Sequence, residues 1–415
     1  MIRHLLKLVW RRKRANSLLI IEIFASFLVV FAVSTLAAAA VMRWRTPLGF
    51  DYHNVWTGRV SFPPRSAMRA EDAPSQRAAV EAMLREARTL GPVESAAADS
   101  MPPYGTGSWV SSVSVDGHQL DTTRDDVSDD YAKTMRIPIL RGRWFSPDDD
   151  ASGEKPIIID ADVARALFGS VDAAVGKMIG SGEKDDSRVV GVIAPFRMGG
   201  EFSPEKTYMA FDRISLSAPA KVNPEHGIQA VGGFDRHVPR YLMIRVRPGT
   251  AADFEETLIK RLHDVAPEYP IRIQHMEQTR IFMNRIYAAP AVVLAIVAAF
   301  LIIMVALGLS GVLWQTVTRR TREIGLRRAM GATGGQVHRQ ILAEVALMST
   351  GALTAGVIVV AQLPIVASSQ VVTPASFAFG LAVSLATIYA ITLLCGMYPS
   401  WLAGRVQPAE ALHYE

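Results

Sequence analysis

The feature that most restricts the fold of this chain is a stretch of 60 residues, from Val345 to Gly404, without Asp, Glu, Lys or Arg. A helix needs about 20 apolar residues to cross the hydrocarbon core of a bilayer, so this stretch is long enough for two crossings. The whole chain nevertheless has 44 basic and 39 acidic residues, which must therefore be concentrated elsewhere. The pattern predicts a membrane protein and excludes a soluble, disordered or collagen-like chain.

Four uncharged or nearly uncharged runs predict four transmembrane helices, at residues 15–42, 286–314, 341–367 and 375–402. A cleaved signal peptide is the alternative for the first run, but signal cores are only ~7–15 residues long. The length of this run favours a retained anchor. Glu22 interrupts it about 10 Å along a helix from Ala15. That position favours a carboxylate that reaches the lipid headgroups over a functional ion site.

Basic residues predict the orientation of the helices, because Lys and Arg accumulate on the cytoplasmic side. Residues 1–14, 315–340 and 403–415 together hold 13 basic and three acidic residues. They are predicted to be a basic amphipathic segment, a link and a tail in the cytoplasm. Residues 43–285 hold 31 basic and 34 acidic residues and are predicted to lie outside. Because the positive excess flanks the membrane, it indicates contact with the lipid bilayer, and no nucleic-acid partner is expected.

The outer segment, residues 43–285, has a globular composition and predicts a large α+β domain between the first and second helices. A strand–helix–strand pattern occurs early, over residues 55–62, 74–90 and from Val93 onwards. The same order recurs late, over residues 241–246, 251–265 and 269–273. These patterns predict two halves of one porter-like α/β lobe. The Gly-, Ser- and Asp-rich residues between them, about 101–239, predict an inserted β-rich lobe.

No pattern of catalytic or metal-binding residues is found. The sequence has no His-Glu-x-x-His, no Gly-x-Ser-x-Gly and no Gly-x-x-x-x-Gly-Lys-Ser/Thr phosphate loop, and Cys395 is its one cysteine. Acidic groups at 125–126, 129–130 and 148–150 lack the spacing of a calcium loop, so we interpret them as solvated turns. We expect this chain to bind no metal or cofactor, and any ATP-driven function would depend on an ATPase in another chain.

Residues 315–340 suggest a site of contact in the cytoplasm. We expect the second helix to continue past Trp314 as a basic helix, to break near Gly331 and to restart at Gln336. The restarted helix would present Val337 and Ile341 on one side and could dock into a groove of a cytoplasmic partner. A plain positively charged link between two membrane helices is the alternative, which composition alone favours.

Residues 322–332, Arg-Glu-Ile-Gly-Leu-Arg-Arg-Ala-Met-Gly-Ala, resemble the signature of FtsX-like/MacB-like permeases, the membrane subunits of mechanotransmitting ABC transporters. The chain ending, from Pro399 to Leu412, fits the same family pattern. Outer segments that include residues 131–148 and 188–192 are similar to the family's periplasmic core domain. The MacB-like branch with a fused ATPase has a phosphate loop that this chain lacks, and Glu22 has no match in the family motif.

The resemblance implies a permease subunit, itself not an enzyme, in the bacterial inner membrane. Its partners would be an ABC ATPase that uses ATP and Mg, and a second copy or sister permease that completes a dimer. A periplasmic adaptor and an outer-membrane channel are further candidates. Coupling to the ATPase is assigned by this resemblance to Glu323, Ile324, Gly325, Arg327, Arg328, Gly331, Ala332, Val337 and Gln340.

The expected function is to couple ATP hydrolysis to motion of the outer domain, for export or extraction of a substrate. A signalling scaffold that activates a cell-wall hydrolase or another periplasmic partner is the alternative, and the large two-lobed outer domain favours transport. Small residues at four-residue spacing, Gly351 with Ala355 and Gly380 with Ser384, predict close helix packing. The helices lack the multiple charges expected of an ion-coupled pore.

Overall fold

The computed structural model describes residues 13–63, 72–105, 107–152, 154–181, 186–203, 206–216, 238–319, 326, 329–362 and 373–405. The chain forms two compact units. One, the membrane unit, comprises Met1–Met42 and Tyr287–Glu415, and the other, the outer unit, comprises Arg43–Ile286.

Eight α-helices of five or more residues run without a gap within the described ranges. They are α1 (Lys13–Trp44), α2 (Ala73–Thr89), α3 (Tyr131–Met135), α4 (Ala161–Phe168), α5 (Phe254–Val265), α6 (Met276–Arg319), α7 (Gly334–Val360) and α8 (Pro374–Arg405). Four of them, α1, α6, α7 and α8, are long and apolar enough to cross a membrane. The predicted fold class, four transmembrane helices with a large α+β domain between the first and second, is confirmed.

Two of the membrane helices, α6 and α7, begin at least seven residues before the apolar runs indicated. Helix α6 starts at Met276, ten residues before the predicted span. The apolar run begins later because Glu277, Arg280 and Arg285 interrupt the first turns. Helix α7 starts at Gly334, so the last part of the 315–340 link belongs to it. Its start is set by a capping box: Gln336 N–H donates to Thr333 Oγ1 at 3.3 Å, and Thr333 N–H donates to Gln336 Oε1 at 3.1 Å.

The strands of the outer unit, within the described ranges, form one sheet of eleven members. They are β1 (Val55–Val60), β2 (Val93–Asp99), β3 (Trp109–Val115), β4 (His118–Val127), β5 (Ile139–Gly142), β6 (Lys155–Asp160), β7 (Met178–Ser181), β8 (Ser187–Ile193), β9 (Met209–Arg213), β10 (Tyr241–Val246) and β11 (Ile271–His275). Their order is β11-β1-β10-β2-β4-β3-β7-β8-β6-β9, with β5 beside β8.

The first lobe is built from both ends of the outer unit. Strand β1 pairs antiparallel with β10 and β11, and β10 pairs antiparallel with β2. Helices α2 and α5 contribute Val80, Leu84, Leu258 and Leu262 to the apolar core against these strands. The strand–helix–strand order predicted at each end is therefore confirmed by β1–α2–β2 and β10–α5–β11, with β11 two residues later than expected.

The second lobe lies in sequence between β2 and β10. Strand β9 pairs antiparallel with β6 and parallel with β4, and this second pairing closes β3, β4, β6, β7, β8 and β9 into a ring. Ile157, Ile159 and Val189 are among the buried apolar residues that fill its core. The two lobes meet where β2 and β4 share the single pair Asp99–Val127, so the sheet is continuous from one lobe to the other.

The prediction of solvated turns for the acidic groups is wrong for three residues. Asp125 and Asp126 lie within strand β4 and are buried, and Asp149 is also buried. Arg143 explains the burial of Asp149, since its guanidinium donates to both carboxylate oxygens and lowers the pKa of that carboxyl. In the cluster with Asp99, by contrast, burial raises the pKa of Asp125 well above its usual range.

Candidate functional site

The link between α6 and α7, which the sequence predicts to be cytoplasmic, is described only in part. Five of the residues assigned to ATPase coupling lie outside the described residues: Glu323, Ile324, Gly325, Arg327 and Arg328. The remaining four, Gly331, Ala332, Val337 and Gln340, have defined positions.

Gly331 lies at the predicted break in the link. Its φ is +99°, a left-handed value that side chains other than glycine rarely adopt. The N–H of Met330, directly before the glycine, donates to the carbonyl of Leu326 at 3.0 Å, which is the i to i−4 hydrogen bond of an α-helix. A Cβ at Gly331 would meet nothing within 4 Å, so the requirement for glycine comes from the backbone angle and not from crowding. The break expected from the sequence is therefore present at this residue.

The orientation expected for Val337 and Ile341 is wrong. They are only 7% and 8% exposed, and they pack with α1 and α6 residues such as Ile23 and Val305 in the apolar core of the membrane unit. Gln340 is half-buried, and its amide donates to Glu344 at 3.4 Å, within the same helix. Val337 and Ile341 therefore face the interior of the membrane unit at the start of α7.

Two apolar side chains that sequence reasoning missed are exposed on the link. Leu326 is 52% exposed and Met330 is 73% exposed, four residues apart on the turn that ends at Gly331. Residues at i and i+4 of a helix lie on one face, so the two side chains form one small apolar surface. Their spacing, within a charged segment, was the signal available in the sequence.

The small residues of the membrane helices have two different surroundings. Gly351 and Ala355 are exposed, and a Cβ at Gly351 would meet nothing within 4 Å, so within one chain they do not form the predicted contact. Gly356, on another face of α7, is the tight position, because its Cβ would lie 2.4 Å from Phe27 Cδ1 of α1. Five residues separate the exposed Gly351 from the packed Gly356.

Helix α8 also packs closely against α1, at Gly380. A Cβ there would lie 2.0 Å from Thr35 Oγ1 and 2.8 Å from the Thr35 backbone. Ser384, one turn further along α8, is fully buried and donates to the carbonyl of Leu381. A third approach joins α1 and α6, where a Cβ at Gly308 would lie 2.7 Å from Glu22 Oε2. The Glu22 carboxylate is therefore placed against α6.

In the outer unit, residues 197–203 form a turn that contacts both the end of α1 and the start of α6. Arg197 is buried, and its guanidinium donates to the carbonyls of Arg43 at 2.6 Å and Thr46 at 3.2 Å, where α1 ends. Arg280, in the second turn of α6, donates through Nε to Glu201 Oε1 at 2.6 Å. Sequence reasoning missed this cluster, because its members come from segments far apart in the chain.

The comparisons with known proteins agree with this architecture. The MacB-like periplasmic core domain matches residues 21–260, and the FtsX-like permease C-terminal domain matches residues 291–408. An uncharacterized ABC transporter permease of Bacillus subtilis, YknZ, is 25% identical over 308 residues, which is 72% of this chain and 71% of YknZ.

A second relative is the macrolide export ATP-binding/permease protein MacB of Chromobacterium violaceum. It is 28% identical over 299 residues, 70% of this chain, but this chain spans only 43% of the length of that MacB. Among solved structures, the periplasmic region of MacB from Actinobacillus actinomycetemcomitans has 11% sequence identity and a TM-score of 0.37, covering 59% of this chain and 98% of that region.

Proposed function

This chain belongs to the ABC transporter permease family defined by a MacB-like periplasmic core domain and an FtsX-like permease C-terminal domain, and we propose that it transmits ATP-driven motion to its outer unit. The observation that carries the proposal is helix α6. It starts at Met276, directly after the last residue of β11, and stays helical for 44 residues through Arg319. At 1.5 Å per residue this is about 66 Å, roughly twice the hydrocarbon thickness of a bilayer.

A continuous helix suits this role, because its backbone hydrogen bonds resist extension and carry displacement from one end to the other. A loop between β11 and the membrane span would absorb such a displacement. Pro290 lies inside α6, and the helix continues on both sides of it. The absence of an intervening loop supports mechanical coupling over a passive anchor.

The cytoplasmic contact in this proposal is the apolar surface formed by Leu326 and Met330. A partner ABC ATPase, which would bind ATP and Mg, would receive these side chains in an apolar groove. Burial of two large apolar side chains contributes about 1.5–3 kcal/mol each to such a contact. Gly331 would then let the chain turn back from the groove into α7.

In this proposal the chain spans the inner membrane of a bacterium. Both termini and the link lie in the cytoplasm, and residues 43–285 lie in the periplasm. The complex would contain two permease subunits and would export or extract a substrate. The names of the relatives support the direction of transport, since MacB of Chromobacterium violaceum is named as an export protein.

The decisive experiment is gentle purification of the tagged full-length chain from its native membranes, followed by mass spectrometry and an ATPase assay. We expect an ABC ATPase to be recovered with the wild-type chain. The double substitution Leu326→Ser and Met330→Ser should abolish that recovery. Val110→Ser is the matched control, since Val110 is an equally exposed apolar residue, at 59%, on the outer unit. Failure to recover an ATPase in several detergents would overturn the proposal.

A further inference from the structure

We propose that Glu201 and Arg280 form a latch that fixes the outer ends of α1 and α6 to the 197–203 turn, so that motion of the two helices reaches the second lobe through this turn. Both are positioning residues and contact no substrate in this proposal. The inference rests on the proposed function, because a latch matters only if the helices move.

The α1 side of the latch is a set of hydrogen bonds to carbonyl oxygens. Arg197 donates to Arg43 and Thr46 at the end of α1, and also to the carbonyls of Glu201 at 3.2 Å and Ser203 at 3.1 Å. Its backbone N–H donates to the carbonyl of Leu48 at 2.9 Å. The last carbonyls of a helix lack partners within it and carry partial negative charge, so a guanidinium is well suited to this position. The turn and the end of α1 are thus held by one side chain.

The α6 side depends on a buried carboxylate. Glu201 is 5% exposed, and besides the Arg280 contact its Oε2 accepts a hydrogen bond from the Tyr104 hydroxyl at 3.4 Å. A charged pair with both members largely removed from water is screened weakly, and loss of one member leaves the other without compensation. Arg280 and Glu201 are therefore expected to stay together when the helices are displaced.

Aromatic rings connect the two sides. The guanidinium of Arg280 lies over the ring of Trp44, the last residue of α1, at 5.3 Å, and over the ring of Tyr52 at 4.5 Å. Both distances are within the range of cation–π attraction. Arg280 therefore contacts the end of α1, the chain that follows α1 and the 197–203 turn at once. A displacement of either helix would act on the same residue.

The turn packs closely against Tyr104. Gly200 has φ of +66° and sits against Tyr104, so that a Cβ would lie 2.0 Å from Cε1 of that ring. The Tyr104 N–H donates to the carbonyl of Met198 at 2.8 Å. Strand β8 ends at Ile193, four residues before Arg197, so the turn continues into the closed ring of the second lobe. A pull on the turn would be passed to that ring with little loss.

The test uses the full-length chain in the complex with its co-purified ATPase, in lipid nanodiscs. Hydrogen–deuterium exchange is measured by mass spectrometry without nucleotide and with ATP and vanadate. Three regions are compared: the link at 329–340, the outer turns of α6 at 276–286, and the 194–203 segment with β8. The variants are Glu201→Gln, Arg280→Lys and the control Glu154→Gln. Glu154 pairs with Arg188 on the surface of the same lobe, so its substitution removes an ion pair outside the latch.

We expect nucleotide to change exchange in all three regions of the wild type and of Glu154→Gln. In Glu201→Gln the change should persist at 329–340 and be lost at 194–203 and in β8. Arg280→Lys keeps the charge but loses the planar group over the rings, and it should reduce the change at 194–203, so it tests the latch even where Glu201→Gln fails to fold.

A full nucleotide-dependent change at 194–203 in both latch variants would overturn the latch and leave the proposed function intact. A wild type in which nucleotide changes only the 329–340 link would instead overturn the proposed function, and the latch with it. ATPase activity, measured on the same samples, should be unchanged in the latch variants, since both residues belong to the outer unit and neither is part of the link.

Discussion

The carboxyl groups of Asp99 and Asp125 share one hydrogen-bond donor, the backbone N–H of Met101, which lies 2.7 Å from Oδ1 of Asp99 and 3.1 Å from Oδ1 of Asp125. Asp99 ends β2 and Asp125 lies in β4, at the place where the two lobes join. Burial raises the pKa of Asp99 to about 7. Burial, together with the charges of Asp99 and Asp126, raises the pKa of Asp125. The pair therefore favours a protonated form in the folded outer unit.

The outer unit should lose stability as pH rises. An unfolded Asp releases its proton near pH 3.8, whereas folded Asp99 holds its proton until about pH 7. Its stabilising contribution is therefore complete below about pH 4 and is lost as pH rises to about 7, with a total of a few kcal/mol. Tyr131, which is buried beside the pair, stays neutral in this range because burial raises its pKa further.

Thermal unfolding of the full-length chain in detergent, followed by the fluorescence of buried Trp56 and Trp144, measures this dependence. Asp99→Asn should make the difference in Tm between pH 5 and pH 8 smaller than in the wild type. The control Asp172→Asn removes a carboxylate that is 71% exposed and paired with Arg141, and should leave the wild-type dependence. Equal pH dependence in wild type and Asp99→Asn would contradict the assignment.

The buried ion pair of Arg124 and Asp212 should stabilise the closed ring of the second lobe. Arg124 Nε donates to Asp212 Oδ2 at 2.8 Å, and both side chains are 3% exposed. They join β4 to β9, the parallel pair that closes the ring. Arg124→Met removes the guanidinium from buried Asp212, which keeps the ammonium of Lys155 at 3.6 Å, and should lower the free energy of unfolding by about 3–5 kcal/mol.

The double variant Arg124→Met with Asp212→Leu separates the charge effect from loss of packing. It should be more stable than Arg124→Met alone, because no uncompensated charge remains in the interior. Urea unfolding at fixed pH, with the same fluorescence signal, provides the measurement. A double variant as unstable as the single one would show that packing, and not the charge, dominates at this site.

The parts of the fold that sequence predicted are those with local periodicity. Apolar runs indicated the four membrane helices, and the strand–helix–strand patterns at the two ends of the outer segment indicated β1, β2, β10 and β11. The start of α6 was missed, because residues 276–285 include Glu277, Arg280 and Arg285 and so do not form an apolar run. The burial of Asp125 was also missed, since the residues that enclose it come from strands far away in sequence.

In the candidate site, too, local features could be predicted from the sequence, whereas contacts between distant segments could not. The break at Gly331 follows from glycine chemistry, and its φ of +99° agrees. The faces of α7 could not be read from the sequence, because nearly every residue of a membrane helix is apolar and no polar face marks the exposed side. Val337 was therefore assigned outward although it packs inside, and the exposed Leu326 and Met330 were not singled out.

Two glycines of α7 should respond in opposite ways to alanine. Gly356→Ala places a methyl group 2.4 Å from Phe27 Cδ1 and should destabilise the membrane unit by about 1–3 kcal/mol. Gly351→Ala meets nothing within 4 Å, so it should be neutral or stabilising by up to about 1 kcal/mol, from the better helix propensity of alanine. Unfolding in mixed micelles of increasing SDS fraction compares the two. A loss of stability for Gly351→Ala would indicate that this face packs against another chain in the sample.

A branched side chain at Gly331 should uncouple the ATPase without preventing membrane insertion. At φ of +99° a residue with a Cβ is strained by about 1–2 kcal/mol, and a β-branched residue more, so Gly331→Val should shift the link away from the turned conformation. No atom lies within 4 Å of the added Cβ, so a loss of ATPase stimulation could not be attributed to a steric clash.

The control is Gly335→Ala, which lies in the first turn of α7, where an added Cβ also meets nothing within 4 Å. The stimulation of ATPase activity by the permease, measured in nanodiscs, should fall for Gly331→Val and stay at the wild-type level for Gly335→Ala. Full stimulation by Gly331→Val would mean that the turn at Gly331 is not part of the path from the ATPase to α7.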